Sequence, residues 1–402
     1  MQPIDMIQNR DFVIVGQQPW DVEIGSNCKN IAVELSRHNR VLYINSPLDR
    51  ITMYRRKHEP AVKKRIDIVH GKRDGLEKIA DNLWAYYPDK MIESINWIKS
   101  AGVFNLLNKR NNRVFARCIQ KGMAQLGFSN AILFNDNDIF RCFYLKDYLK
   151  PAVSIYYSRD YLLTVDYWKL HGTRLEPILI AKSDVCVANS TYLADYCRQY
   201  NPASYYVGQG CDLGIFSQSS YTTPGDIGAI NKPVIGYVGA LQALRLDIDL
   251  LAHIATARPH WQIVLVGPED DAFRTSSLHR LPNVHFLGSK VPENLPAYIN
   301  AFDVCLNPQV INEVTRGNYP RKIDEYLAMG KPIVATETGF MKAVFSGRTY
   351  LCTSAEGYVS AIENALLEDS PQLQQQRKEF AASHSWENNV REIYKAINGL
   401  GK

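Results

Sequence analysis

The 402 residues contain no long apolar run. Nothing approaches the ~20 consecutive apolar residues that a membrane-spanning helix needs, so any membrane contact is expected to be peripheral. Cysteine is sparse and scattered, at positions 28, 118, 142, 186, 197, 211, 305 and 352. With no Cys-x-x-Cys and no Cys/His spacing of the zinc type, a zinc site of that kind is not expected. Cys186 in DVCVANS and Cys305 in DVCLNP lie inside apolar, strand-like runs and read as buried free thiols, which favours a reducing cytoplasm. The histidines show no His-Glu-x-x-His spacing. Gly208-Gln209-Gly210 lacks both the full dinucleotide fingerprint and its acidic partner, so NAD is not implied. The opening MQPIDMIQNRDF has no basic region followed by an apolar one, and no secretory signal is expected. A strong excess of one charge is also missing: the net charge is +5, and with no reader motif nucleic acid is not expected as a partner.

What is present describes two ordinary α/β domains. Hydrophobic residues make up 46% and charged residues 22%, as in globular proteins with real cores. The charge is uneven: residues 1–215 carry 29 Lys+Arg against 22 Asp+Glu, and the remainder 17 against 19. A strand over Phe12 to Gly16, a helix over about Cys28 to His38 and a strand over Val41 to Asn45 make a βαβ start, hence a parallel sheet. Further strands are expected at Ala131 to Phe134, Val153 to Tyr157, Val185 to Ala188 and Tyr205 to Val207. Residues 216–233, rich in Ser, Thr, Gly and Pro, read as a linker. Beyond it VIGYVG, QIVLVG, VHFLG, VCLNP, PIVAT and YLCT alternate with helix-length segments. The expected fold is α/β, two tandem Rossmann-like doubly wound domains with an interdomain cleft. A first domain spans 1–215, a second 234–375, and a helical tail over 376–402 packs back on the first. Ligands of such sheets lie at the carboxyl ends of the strands.

The most informative stretch is Gly317 to Thr336, GNYPRKIDEYLAMGKPIVAT. A loop leads into a short helix with Ile323, Tyr326 and Leu327 at i, i+3 and i+4. Gly330 falls where a left-handed C-cap belongs, Pro332 stops the helix, and Ile333-Val334-Ala335 supplies a strand. Arg321 and Lys322 in the first turn oppose the positive helix end unless an anion such as a diphosphate lies between them.

Several ordered marks then resemble the GT-B glycosyltransferases of the large family 4 type. They are GQGCDLGIF (208–216) with Gly210, Asp212 and Phe216, GYVGAL (236–241), VLVGP (264–268), the loop-helix-strand above and HSWENNV (384–390). The resemblance covers nearly all of 180–395. It implies that a donor diphosphate sits against the turn Gly239-Ala240-Leu241 with Arg245, and against the loop Arg316 to Pro320, including Asn318 and Tyr319, with Lys322. It implies that Glu325 holds the nucleotide ribose and that Gly267-Pro268 neighbours the base. Cations and backbone N–H groups there would stabilise the departing nucleotide. Gly317 stands where the family usually has another glutamate, eight residues before the ribose-binding one, so donor-sugar recognition is expected to differ.

The first domain should then hold the acceptor. YYSRD (156–160) puts Arg159-Asp160 where many relatives carry a His-Asp pair, which makes Asp160 the candidate to orient or deprotonate an acceptor hydroxyl. The loop after the first strand offers Gln17, Trp20 and Asp21 to sugar hydroxyls. Asp136-Asn137-Asp138 has the Asp-x-Asp form that binds a divalent metal in other glycosyltransferases. It lies in the wrong domain for the donor, the resembled class is generally metal-independent, and a polar loop or cap explains it; no metal and no cofactor are expected beyond a nucleoside-diphosphate sugar as co-substrate. Trp97, Ile98, Phe104, Leu106 and Leu107 alternate with Lys99, Lys109, Arg110, Arg113 and Arg117, and Arg50, Arg55, Arg56, Lys57, Lys63, Lys64 and Arg65 lie nearby in sequence. That pattern suits anionic lipid head groups or the outer face of a Rossmann helix. The expectation is a cytoplasmic hexosyltransferase acting on a glycan or lipid-linked acceptor in cell-surface polysaccharide synthesis, retaining by resemblance. A nucleotide-sugar epimerase and a silent glycan-binding relative are the alternatives.

Overall fold

The computed structural model describes residues 6–22, 25–218, 220–313, 315, 317 and 319–401, and the chain divides into two compact units. One runs to Gly208 and resumes at Trp386; the other spans Gln209–Ser385.

The first unit is built on eight strands: β1 Asp11–Val15, β2 Arg40–Ile44, β3 Leu76–Ala80, β4 Leu83–Tyr86, β5 Ile132–Asp136, β6 Val153–Ser158, β7 Val185–Ala188 and β8 Ser204–Tyr206. Their order is β3-β4-β2-β1-β5-β6-β7-β8, with β3 antiparallel to β4 and the other pairings parallel. Alternation along β1 explains how helices cover both faces. Phe12 and Ile14 enter a core shared with the helices Asn27–Ser36 and Trp386–Asn398, while Val13 and Val15 pack with Phe115 and Ile119 of the helix Ala101–Leu126. A sheet buried on both sides reads as continuous apolar runs, which is why β1, β2, β5, β6, β7 and β8 are found within a residue or two of their expected places. The β3–β4 hairpin is not foreseen by the pattern. β3 is LEKIA at an edge, half-buried to exposed, and has no apolar face to announce it.

The second unit contains β9 Val234–Val238, β10 Gln262–Val266, β11 Val284–Phe286, β12 Val304–Asn307, β13 Ile333–Thr336 and β14 Tyr350–Cys352. The order is β11-β10-β9-β12-β13-β14, all parallel. The helices Ile248–Ala257 and Ala355–Glu368 pack Leu251, Ile254, Tyr358 and Ile362 against Ile235, Ile263 and Val334.

Each sheet reverses direction once. From β1 the chain moves to β2 on one side and later places β5 on the other; from β9 it moves to β10 and later places β12 opposite. Those two reversals are where open α/β sheets leave a crevice at the strand ends. All eight cysteines are free and buried. Among the described residues no helix is long and apolar enough to cross a membrane.

Candidate functional residues at the strand-order reversal of each unit

In the second unit the exits of β9 and β10 are stitched together. Gly239 N–H donates to the Val266 carbonyl (2.9 Å), Leu241 N–H to Pro268 (2.8 Å) and Asp270 N–H to Leu241 (2.9 Å). The two turns approach so closely that a Cβ on Gly267, at φ 153°, would lie 1.9 Å from the Gly239 carbonyl oxygen. Only glycine fits there. The β9 exit is also tied to the segment after β12: Asp247 N–H donates to Pro308 and Val310 N–H to Arg245, both at 2.9 Å.

The helix expected in the Gly317–Thr336 stretch spans Lys322–Ala328, and the Tyr326 hydroxyl accepts from Val238 N–H at the end of β9 (2.9 Å). That bond brings Lys322 over the β9 turn. Its Cε lies 3.3 Å from where a Gly239 Cβ would stand, and its ammonium 5.0 Å from the Tyr237 ring centroid. Neither Lys322 nor the exposed Arg245 makes an ion pair with a described residue. Glu325, one turn beyond Lys322, is half-buried, and its carboxylate accepts no hydrogen bond from a described residue. Desolvation pushes that carboxyl upward, with Arg321 and Lys322 drawing it down and Asp324 adding to the rise. The electrostatic oddity expected of the helix start is smaller than the sequence implied. Arg321 is the N-cap, and the first turn holds Asp324 and Glu325 beside Lys322, so the cations are partly balanced within seven residues.

Gly330 does end this helix in the left-handed region, at φ 73°, and Gly330 N–H and Lys331 N–H close back on Leu327 and Tyr326. Tyr319, expected at the donor, is buried with its hydroxyl donating to Asp324 (2.6 Å). Asp324, fully buried, also takes His384 Nδ1 (2.6 Å) and the Cys211 thiol (3.2 Å), while Cys211 N–H donates to the His384 carbonyl. These groups fix the loop before the helix to the segments 209–211 and 384–385. His384 and Asp324 were not singled out as site residues; the resemblance marks HSWENNV and GQGCD contain two of the partners, but only folding reveals Asp324 between them. Arg316 and Asn318 lie outside the described residues.

In the first unit the polar constellation forms at the β1/β5 reversal. Asp136, fully buried at the end of β5, accepts from Arg159 Nε (2.7 Å) and from Gln17 N–H (3.1 Å). The Gln17 side chain donates to the Asn137 carbonyl (2.7 Å), and Asn137 Oδ1 accepts Arg159 N–H (2.9 Å). Arg159 extends from Asp136 to the exposed Asp160, 2.8 Å away. Burial alone would lower the guanidinium's pKa; Asp136 and then Asp160 outweigh it and push it up. Gln17, Arg159 and Asp160 are thus brought together around a carboxylate that the sequence had read only as half of an Asp-x-Asp.

Trp20 and Asp21 are placed elsewhere. Trp20 packs edge-on against Tyr43 (5.0 Å) at the margin of the core, and Asp21 is held by Arg65 (2.8 Å), with Lys64 at 3.9 Å. Their apolar and ionic partners explain the loop without a sugar. Asp136 and Asp138 do not converge either: the second carboxylate takes Arg141 Nε and the N–H groups of Phe140 and Arg141, in the manner of a turn cap. The expected amphipathic surface is also redistributed. Phe104 is buried, Ile98 and Leu107 pack against the core, and Trp97 and Leu106 stay outside, 72% and 71% exposed.

Residues 232–369 match the family of glycosyl transferases group 1. The matched span is about a third of the chain and lies wholly within the second unit. A curated relative, the teichuronic acid biosynthesis glycosyltransferase TuaH of Bacillus subtilis, is 27% identical over 172 residues, 40% of this chain and 42% of that protein, so the likeness spans less than half of its length. Among solved structures, the sucrose-phosphate synthase of Thermosynechococcus elongatus aligns with a TM-score of 0.63 at 14% identity, covering 98% of this chain and 99% of that one. Anabaena HepE in complex with UDP gives 0.63 at 15% identity over 98% and 100%. At such identities these neighbours establish the fold, which is GT-B with two Rossmann-like domains. The span that matches the group 1 family contains the Gly239 and Gly267 turns, Arg245, Lys322 and Glu325.

Proposed function

We propose that the chain is a glycosyltransferase that moves a sugar from a nucleoside-diphosphate sugar to a glycan or lipid-linked glycan acceptor in cell-surface polysaccharide synthesis. The observation that carries the donor half is Lys322 poised over the Gly239 turn with no anionic partner among the described residues. Cationic Arg245 is carried on the same exit loop, and the half-buried Glu325 carboxylate stands one helical turn from Lys322. A diphosphate on the glycine turn would meet backbone N–H groups and cations, which favour the negative charge that grows on a leaving nucleotide. Glu325 would accept the ribose hydroxyls. That HepE was solved with UDP, and that TuaH is named for teichuronic acid biosynthesis, supports a nucleotide-sugar donor and a surface polysaccharide as product.

In the first unit Asp160 is the group that reaches solvent, and Arg159 holds it in place; it would orient the acceptor hydroxyl, with Gln17 shaping the crevice. Metal-independent transfer is in keeping with Asp136 and Asp138 each engaged by its own arginine. Work at a membrane face is supported by the exposed Trp97, Leu106 and Tyr54 among basic residues. Retention of anomeric configuration rests on the family resemblance.

The test is transfer from a panel of sugar nucleotides, with and without chelator. Lys322→Ala and Arg245→Ala should each lower turnover about 10²-fold, the effect of removing one leaving-group donor, and chelator should leave it unchanged. Full turnover in both variants would remove the donor assignment. Conversion of the sugar nucleotide without any acceptor would identify an epimerase instead.

A further inference from the structure

The Asp-x-Asp of the sequence divides two neighbouring places. Asp136 anchors Arg159 at the β1/β5 crevice, and two residues on Asp138 anchors Arg141 in a separate cavity of the first unit. This cavity lies beyond the carboxyl ends of β2, β4 and β5. It is lined by Pro47 and Asp49 after β2, Ile92 to Asn96 after β4, Asp138, Phe140 and Arg141 after β5, Asn108 and Asn111 of the long helix, and Tyr167 and Trp168. Its volume of about 140 Å³ has room for on the order of ten waters, or one sugar ring.

The polar groups facing it are incompletely used. Asn108 is only 3% exposed; its Oδ1 and carbonyl accept from Asn112, but its own Nδ2 donates to no described residue. The Asn96 Nδ2 is buried beside the Tyr167 hydroxyl and makes no hydrogen bond of good geometry. Arg141 gives its Nε to Asp138, and neither terminal nitrogen donates to a described residue. A buried donor without an acceptor is costly, and the cavity holds one at Asn96 beside two further donor groups, on Asn108 and the partly exposed Arg141, that no described residue takes; such a site suits something that accepts. Trp168 and Tyr167 provide the apolar wall: they meet edge to face at 5.1 Å, and Trp168 stacks on Phe140 at 5.1 Å and 26°. Glu93 is paired with Arg50 and Asp138 with Arg141, and Asp49 adds a third carboxylate, so no cation is left over for a phosphate or a carboxylate. Unused N–H donors, nearby carboxylate acceptors and aromatic faces together match a neutral ring bearing hydroxyls on its rim and C–H groups on its face.

We propose that this cavity is an acceptor subsite that holds a neutral sugar ring of the acceptor glycan, distinct from the crevice at Asp160. It rests on the glycosyltransferase reading, and the experiment separates the two. Labelled full-length protein is applied to an array of immobilised neutral and acidic oligosaccharides, and UDP affinity is measured by calorimetry on the same preparations. The wild type should be retained by neutral glycans. Trp168→Ala and Asn108→Ala should each weaken retention at least tenfold, and Tyr167→Ala, at a residue 57% exposed, several-fold. UDP affinity should not change in any of the three. Retention by acidic glycans only, by none, or equally by wild type and all three variants overturns the subsite. Failure of the wild type to bind UDP would instead overturn the donor reading and leave the glycan result standing.

Discussion

At the scale of single residues, two groups of the proposed donor half lend themselves to decisive tests. Gly267 packs its α-carbon against the Gly239 carbonyl, and alanine there must push apart two turns joined by backbone hydrogen bonds. Gly267→Ala is expected to cost about 3 kcal/mol or more, read as a lower urea midpoint, and to weaken UDP binding along with it. A variant that melts and binds like the wild type would show that the turns can separate freely. Glu325 makes a different prediction, because desolvation holds its carboxyl above the ordinary value. Between the ordinary and the raised value the folded state binds a proton that the unfolded state has released, so stability falls as pH rises through that window and the cost persists at neutral pH. Glu325→Gln should therefore melt a few degrees higher than wild type at pH 7, the difference closing below the ordinary carboxylate range. The same change should weaken UDP about tenfold by loss of a charged acceptor. Equal melting at pH 7 would remove the desolvation account, and unchanged UDP affinity would remove the ribose role.

At the scale of elements, the helix Arg50–Arg56 has no buried residue, and Ile51 and Tyr54 stand exposed among Arg50, Arg55 and Arg56. The segment from Trp97 into the helix Ala101–Leu126 adds exposed Trp97, Val103 and Leu106 beside Lys99, Lys109 and Arg110. Apolar tips among cations suit the interface of an anionic bilayer. The protein should co-sediment with phosphatidylglycerol vesicles and not with phosphatidylcholine ones, and Trp97→Ala with Leu106→Ala should release most of it. Binding to both lipids alike, or none to either, would leave this face as ordinary solvent-facing helix. The sequence showed the alternation of apolar and basic residues but not its division. Phe104, Ile98 and Leu107 fit the same pattern and face inward, because a helix lying over a sheet uses part of its apolar side for the core.

At the scale of the whole molecule, the chain leaves the first unit after Gly208 and returns at Trp386. The returning helix contributes Val390, Ile393, Tyr394 and Ile397 to the core around Phe12 and Tyr43; Asn39 donates to the Tyr394 hydroxyl (2.9 Å), and Asn389 donates to the Val207 and Gly208 carbonyls. Deleting residues 386–402 should therefore strip one face of the first sheet and leave the second untouched. Calorimetry should show the first unit's transition lowered by well over ten degrees or lost, with the second unit's transition in place. A single, unshifted transition would contradict that division of the core.

The strands buried on both faces, the glycine turns and the short helix with Lys322 and Glu325 were legible because each depends on local pattern: continuous apolar runs, residues that permit unusual backbone angles, and i, i+3, i+4 spacing. Local pattern cannot say which carboxylate meets which cation across a sheet. Asp136 and Asp138 are two residues apart and look like one metal site, yet one pairs with Arg159 and the other with Arg141, since the turn after β5 aims them at different neighbours. Asp324 and His384 are 60 residues apart and share one bond. By itself the sequence determined the fold class and the family marks, and it pointed to the cations proposed for the donor. The tertiary structure decided which polar side chains are consumed by the fold and which, at Lys322, Asn108 and Arg141, keep donors that no described residue takes, because that depends on long-range packing.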